Sequence, residues 1–156
     1  MSKLNIINLS NNDIEEISDF LKIDFEYCKN RIINFEPKEM AGEWQKANPM
    51  TTADILRFYA DNNLYIFELT KANASKERNE LHGKIINFLL DYYLPSSHPR
   101  VLDYGAGVGT DTIKFAEKGY KTFWADIPGK TSEFVKHRLK RRNIGSEYIA
   151  IKKNLR

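Results

Sequence analysis

The sequence predicts an α/β fold in which a parallel sheet of about three strands follows a helical N-terminal region. Three observations carry this. From Arg100 onward short apolar runs alternate with segments of helical spacing, joined by short connections, the pattern of strands linked by crossover helices. The first apolar run leads into "GAGVG", three glycines at alternate positions opening a helix. Before residue 95 the periodicity is helical almost throughout.

The N-terminal elements follow in order. "SNNDIEEISDFL" offers Ser10 or Asn11 as a cap, acids in its first turn, and Ile14, Ile17 and Leu21 on one side of a helix. "DFEYCKNRIINF" predicts a second helix ending before Pro37, and residues 1–50 as a whole read as short helices and loops. Residues 51–73 are helical by pattern, with "NLYIFEL" open to a strand because its residues favour extended backbone. Ser75 caps the clearest helix, "KERNELHGKIINFLLDYYL", with Leu81, Ile85, Leu89 and Tyr92 as its apolar face and Pro95 as its stop. The connector "PSSHP" places the organisational boundary, giving a helical region over 1–95 and a strand-and-helix unit over 100–156.

In that second unit "RVLDY", "KTFWAD" and "SEYIAIKK" are the strands. "TDTIKFAEKG", closed by Gly119, and "KTSEFVKHRLKRRN" are the helices between them. There is no internal repeat and no low-complexity segment.

Composition narrows the function. No run of about 18 apolar residues exists, and the start "MSKLNIINLSNND" lacks the basic and apolar stretches of a secretory signal, so a soluble cytoplasmic protein with no membrane partner is expected. The single cysteine, Cys28, has no partner for a disulfide or zinc site and reads as a small buried side chain. His82, His98 and His137 are scattered, so no metal is expected. From Arg100 onward 13 Lys and Arg face 6 Asp and Glu, a balance of +7; the preceding residues hold 11 against 15, a balance of −4. Much of the positive excess is "KHRLKRRN", which lacks interleaved aromatics; cations at a helix C-terminus explain it better than a nucleic-acid patch. A helix-turn-helix reading of the first two helices is discounted because that part of the chain is acidic.

A strand that ends in glycines and feeds a helix sets backbone N–H groups at its C-terminal edge, where a side chain would obstruct a ligand. The next strand ends on Asp126, which a parallel sheet brings beside the glycine turn, where it can accept hydrogen bonds from two ribose hydroxyls. The alternative for Asp126 is a cap on the turn "DIPGKT".

These residues resemble the class I S-adenosylmethionine-dependent methyltransferases, whose first motif is an acid, any residue, then Gly-x-Gly-x-Gly at the end of the first strand of a Rossmann-like sheet. "DYGAGVG", Asp103 to Gly109, matches every defined position. The resemblance implies S-adenosylmethionine as cofactor, with Gly105 and Gly107 against its methionine part, Asp103 ordering the loop and the cofactor's amino group, and Asp126 on the ribose. Tyr104, Ala106, Val108 and Thr110 fill the variable positions, Gly109 closes the motif, and Ile127 stands where an apolar side chain borders the adenine. A nicotinamide dinucleotide site is the weaker alternative: Gly-x-Gly-x-x-Gly read from Gly105 meets Thr110, and Asp103 would repel a pyrophosphate.

The resemblance covers about residues 100–151, together with a helical segment of the sort that covers the cofactor. Members have seven strands and this chain supplies three, so the sheet reads as apparently truncated, with one edge of "RVLDY" open to the N-terminal segment, a second copy or a completing partner. The strand that usually carries substrate-side residues is missing. The sequence therefore names no catalytic residue and no methyl acceptor. His98, Tyr59 and Tyr65 could face the cofactor, but a surface role for His98 and core roles for the two tyrosines are the preferred reading; Asn154 is the candidate to read the adenine. A non-catalytic S-adenosylmethionine-binding or partner-dependent module is the alternative function.

Overall fold

A computed structural model describes residues 7–97 and 99–151. Five helices, α1 (Asn11–Leu21), α2 (Phe25–Ile33), α3 (Pro37–Ala47), α4 (Thr52–Asp61) and α5 (Leu64–Asn73), precede the long α6 (Lys76–Tyr92). A single 3₁₀ turn over Pro95–Ser97 leads to β1 (Arg100–Tyr104), α7 (Thr110–Glu117), β2 (Lys121–Asp126), α8 (Lys130–Arg141) and β3 (Glu147–Ala150). The strands form one parallel sheet in the order β1-β2-β3, with Asp103 level with Trp124 and Trp124 level with Tyr148. The expected α/β architecture with a Rossmann-like sheet and a helical N-terminal region is thus present.

Local chemistry sets most helix starts. Ser10, Asp24, Thr51 and Ser75 each accept a hydrogen bond from the backbone N–H three residues on, satisfying a donor the first turn leaves free. Pro37, expected only as a stop, is instead the first residue of α3, where its missing N–H costs nothing. "NLYIFEL" is helical. Its strand-favouring residues are overridden by packing, because Ile66, Phe67 and Thr70 at helical spacing are all buried.

The apolar face expected for α6 is rotated. Leu81 and Tyr92 are exposed, and the most buried side chain is His82, which faces α7. One apolar core joins Ile14, Ile17, Cys28, Ile32, Phe35, Ile66 and Phe67 of the helical region to Val108 of the glycine loop and Phe134 of α8. A second core lies between the sheet and α7 and α8, where Trp124 stacks on Tyr148 at 4.2 Å among Ile113, Val135 and Leu139. Burial pushes the Cys28 thiol up to about 11, so this cysteine is an apolar core residue.

The basic end of α8 has partners that the composition does not reveal. Arg138 is buried, and its guanidinium donates to Glu16 at 2.7 Å, to Asp13 at 2.5 Å and to the Val108 carbonyl at 2.6 Å. Arg142 donates to Glu16, Asp13 and Glu117, and Arg141 to Glu15 and Asp19. The basic run is therefore the counterpart of the acidic face of α1. Its cations also stand in the last turn of α8, as expected from the helix dipole. Replacing Glu16 by Ala strands a buried cation and should lower stability by about 3–5 kcal/mol. Arg141→Ala, on a half-exposed pair, should cost about 0–1 kcal/mol. Urea denaturation distinguishes the two, and equal costs would move the Glu16 pair to the surface class.

Candidate functional site

The C-terminal ends of β1 and β2 open into a cavity of about 300 Å³, roofed by Tyr59 and Ala60 of α4 and by Tyr65 and Leu69 of α5. Its floor is the glycine loop. Gly105, at φ +74°, has open space where a side chain would begin, so its bare backbone faces the cavity. Gly109, at φ +72°, is glycine for another reason: a Cβ there would lie 2.8 Å from Val135, and its absence lets α8 press against the loop.

Two carboxylates organise the loop. Asp103 accepts from the backbone N–H of Thr112 at 3.0 Å and from its hydroxyl at 2.6 Å, tying the end of β1 to the first turn of α7. Asp126 accepts from the N–H of Gly107 at 2.7 Å and from that of Ile127 at 2.7 Å, bridging β2 to the loop. It therefore does more than cap its own turn. That turn is closed instead by Ser132, which accepts from the Gly129 N–H. Burial raises the pKa of both acids. The bonds they accept oppose the shift, whereas Asp111 beside Asp103, and Asp103 beside Asp126, add to it.

Asp111 forms a third acidic wall. Arg78 of α6 donates to it at 2.8 Å, and His82 Nε2 lies 2.6 Å away in a close polar contact. On its other side His82 Nδ1 is 2.5 Å from Lys114 Nζ. Burial first, then the charges of Lys114 and Arg78, hold the His82 pKa down to about 4, so the ring is neutral near pH 7. Three carboxylates against one arginine make the cavity wall net acidic.

Of the residues singled out in the sequence, Asp103, Gly105, Ala106, Gly107, Asp126 and Ile127 line this cavity together. Two do not. Tyr104 is 73% exposed on the opposite face of the sheet, because side chains alternate along β1 and that of Asp103 points inward. Gly109 lies under α8. Tyr59 and Tyr65, expected in core roles with the cofactor-facing role as the alternative, both border the cavity, their rings 5.1 Å apart. His98 and Asn154 lie outside the described residues. Arg78, Asp111, Leu69 and Thr131 also line the cavity, outside any motif in the sequence. Asp111 has a local signal, two residues past the last glycine, whereas nothing in one dimension brings Arg78 across from α6.

Among the described residues no group of three or more His, Cys, Asp or Glu is arranged to hold a metal ion, and no helix is long and apolar enough to cross a membrane. No protein-family model matches the chain, and no curated protein matches its sequence.

The depressed His82 pKa has a definite sign. On acidification the unfolded chain, with its ordinary value of 6.5, takes up the proton first, so this contribution to stability is present above pH 6.5 and lost as pH falls through about 4. The three aspartates act oppositely, because their raised values favour proton uptake by the folded chain. Titration of the His82 Cε1–H by NMR should give a midpoint near 4. A midpoint near 6.5 would mean that the ring is hydrated and free of Lys114.

Proposed function

We propose that the cavity binds S-adenosylmethionine and that the protein is a methyltransferase using it. The observation that carries this reading is the combination of a bare glycine backbone at Gly105 with an acidic wall of Asp103, Asp111 and Asp126 around it. A ligand with a sulfonium and an ammonium group is cationic where this wall is anionic, and its uncharged ribose suits a carboxylate at a strand end. A pyrophosphate suits neither feature. Of the donors at the start of α7 that would receive it, Thr112 already gives both its N–H and its hydroxyl to Asp103. That argues against the nicotinamide alternative.

Within this reading each residue has a task. The free oxygen of Asp103 takes the ammonium group, and Arg78, held by Asp111, faces the cofactor's carboxylate. Asp126 accepts from the ribose hydroxyls, keeping Gly107 in place with the same carboxylate. Ile127 supplies an apolar border for the adenine, and Tyr59 and Tyr65 close the cavity from above. When bound, the cofactor supplies an electrophilic methyl group, and transfer then needs chiefly an acceptor held in line with it. The protein's contribution is position and exclusion of water.

A second reading, a cofactor-binding module that works only with a partner, is favoured by one observation. The described sheet stops at three strands and leaves β1 open on one side.

Calorimetric titration with S-adenosylmethionine and with its demethylated product tests binding. Asp126→Ala should weaken it by about 1–3 kcal/mol, the cost of leaving polar partners unpaired, or roughly 5- to 150-fold. Gly105→Ala should weaken it at least tenfold while the circular dichroism spectrum is kept, because the added methyl enters the cavity. A folded wild-type chain that binds neither compound would overturn the proposal. Binding with no methyl transfer in the presence of acceptors would favour the module reading.

A further inference from the structure

One buried donor beside the cavity wall has no acceptor in line with it. His82 is 3% exposed, and its Nδ1 lies 2.5 Å from Lys114 Nζ. An ammonium group only donates, so Nδ1 is the acceptor and the proton of the neutral ring is on Nε2. That Nε2 is 2.6 Å from Asp111 Oδ1, yet its N–H is not directed along the contact, and among the described residues it makes no hydrogen bond. A buried N–H without an acceptor is costly, and here a turn of the Asp111 side chain would supply one.

Arg78 holds Asp111 by its other oxygen. Nη2 of Arg78 donates to Asp111 Oδ2 at 2.8 Å and Nε donates to Asn73 Oδ1 at 3.3 Å, while the guanidinium borders the cavity. A guanidinium recognises a planar carboxylate through two parallel bonds, and with Nε engaged the fork that remains is Nη1 and Nη2. A ligand carboxylate on that fork shares Nη2 with Asp111. Two like charges on one nitrogen repel, so the arrival of the first loosens the second.

Asp111 has another partner to turn to. Behind the His82 ring stands Lys114, whose donation to Nδ1 polarises the imidazole and strengthens Nε2–H as a donor. We infer that Arg78, Asp111 and His82 form an exchange switch that reads the carboxylate of a ligand's amino-acid end: the carboxylate takes Arg78, and Asp111 turns to accept from His82 Nε2. After the exchange Arg78 is matched by the ligand, and Asp111 by the His82–Lys114 pair. His82 is thereby a positioning residue that favours carboxylate-bearing ligands without touching them. The inference rests on the reading that the cavity takes S-adenosylmethionine, and it adds which end of that ligand is checked and how.

NMR of the His82 imidazole N–H, alongside calorimetry, tests the exchange with two ligands. One is S-adenosylmethionine; the other is its decarboxylated form, which keeps the sulfonium and the amino group. S-adenosylmethionine should move the Nε2–H resonance downfield, the mark of a new bond to a carboxylate. The decarboxylated form should leave the resonance in place and bind at least tenfold more weakly. His82→Phe should lower affinity for S-adenosylmethionine at least tenfold and leave that for the decarboxylated form unchanged, whereas a merely structural role would lower both. In the free protein Arg78→Leu, at a side chain 38% exposed, should by itself move the resonance downfield, because Asp111 has lost its first partner. The near-ultraviolet signal of buried Trp124 reports whether that variant is folded. A folded wild-type chain that binds neither ligand overturns the cofactor reading, and Arg78→Leu in the free protein then decides the exchange. The inference is overturned by a resonance that ignores bound S-adenosylmethionine, responds equally to both ligands, or stays in place in Arg78→Leu.

Discussion

The molecule is organised around one buried arginine. Arg138 stands in α8, yet its three strongest bonds go to α1 and to the glycine loop. A guanidinium taken out of water needs both charge and hydrogen-bond partners to offset its lost hydration. Glu16 and Asp13 supply the charge, and the Val108 carbonyl uses a further donor. Remove that centre, and α1 loses its seat, the shared core of Ile14, Ile17, Val108 and Phe134 opens, and the loop loses the carbonyl anchor that fixes its last turn. The floor of the cavity and its helical cover are therefore fastened at the same point.

Much of this was legible in one dimension because the signals were local. Strand length, glycine spacing, caps and the acid at the end of β2 are all statements about neighbours in sequence, and Asp103, Gly105, Gly107 and Asp126 meet at one cavity with Ile127, which only the family resemblance pointed to. What escaped was non-local. The pattern of α6 suggested a face through Leu81 and Tyr92, but the helix turns a histidine inward because Asp111 and Lys114 await it on α7. The strand preference of "NLYIFEL" lost to three buried positions at helical spacing. Tyr104 stands beside Asp103 in sequence and on the other side of the sheet in space. The division of charge, −4 before Arg100 and +7 from it onward, hides a contact: Arg138, Arg141 and Arg142 of the second part pair with the acids of α1 in the first.

The acids around the cavity show how placement separates roles that composition leaves equal. Asp103 and Asp126 are both strand-end carboxylates, and each holds a different side of the glycine loop by accepting backbone N–H bonds. Asp111 accepts from a side chain, Arg78, and is backed by a neutral histidine. All three have pKa values raised first by burial.

The fastening of α1 to α8 also bears on how the chain is made. Asp13 and Arg138 are 125 residues apart in sequence. At a synthesis rate of about 5–20 residues per second, α1 waits roughly 6 to 25 s before its arginine partner is polymerised. Through that interval Glu16 stays hydrated and the apolar side of α1 has only α2 and α5 to lean on. Closure of the glycine loop consequently waits for α8, and a nascent chain that has not reached it holds the helical segments with no finished floor beneath them.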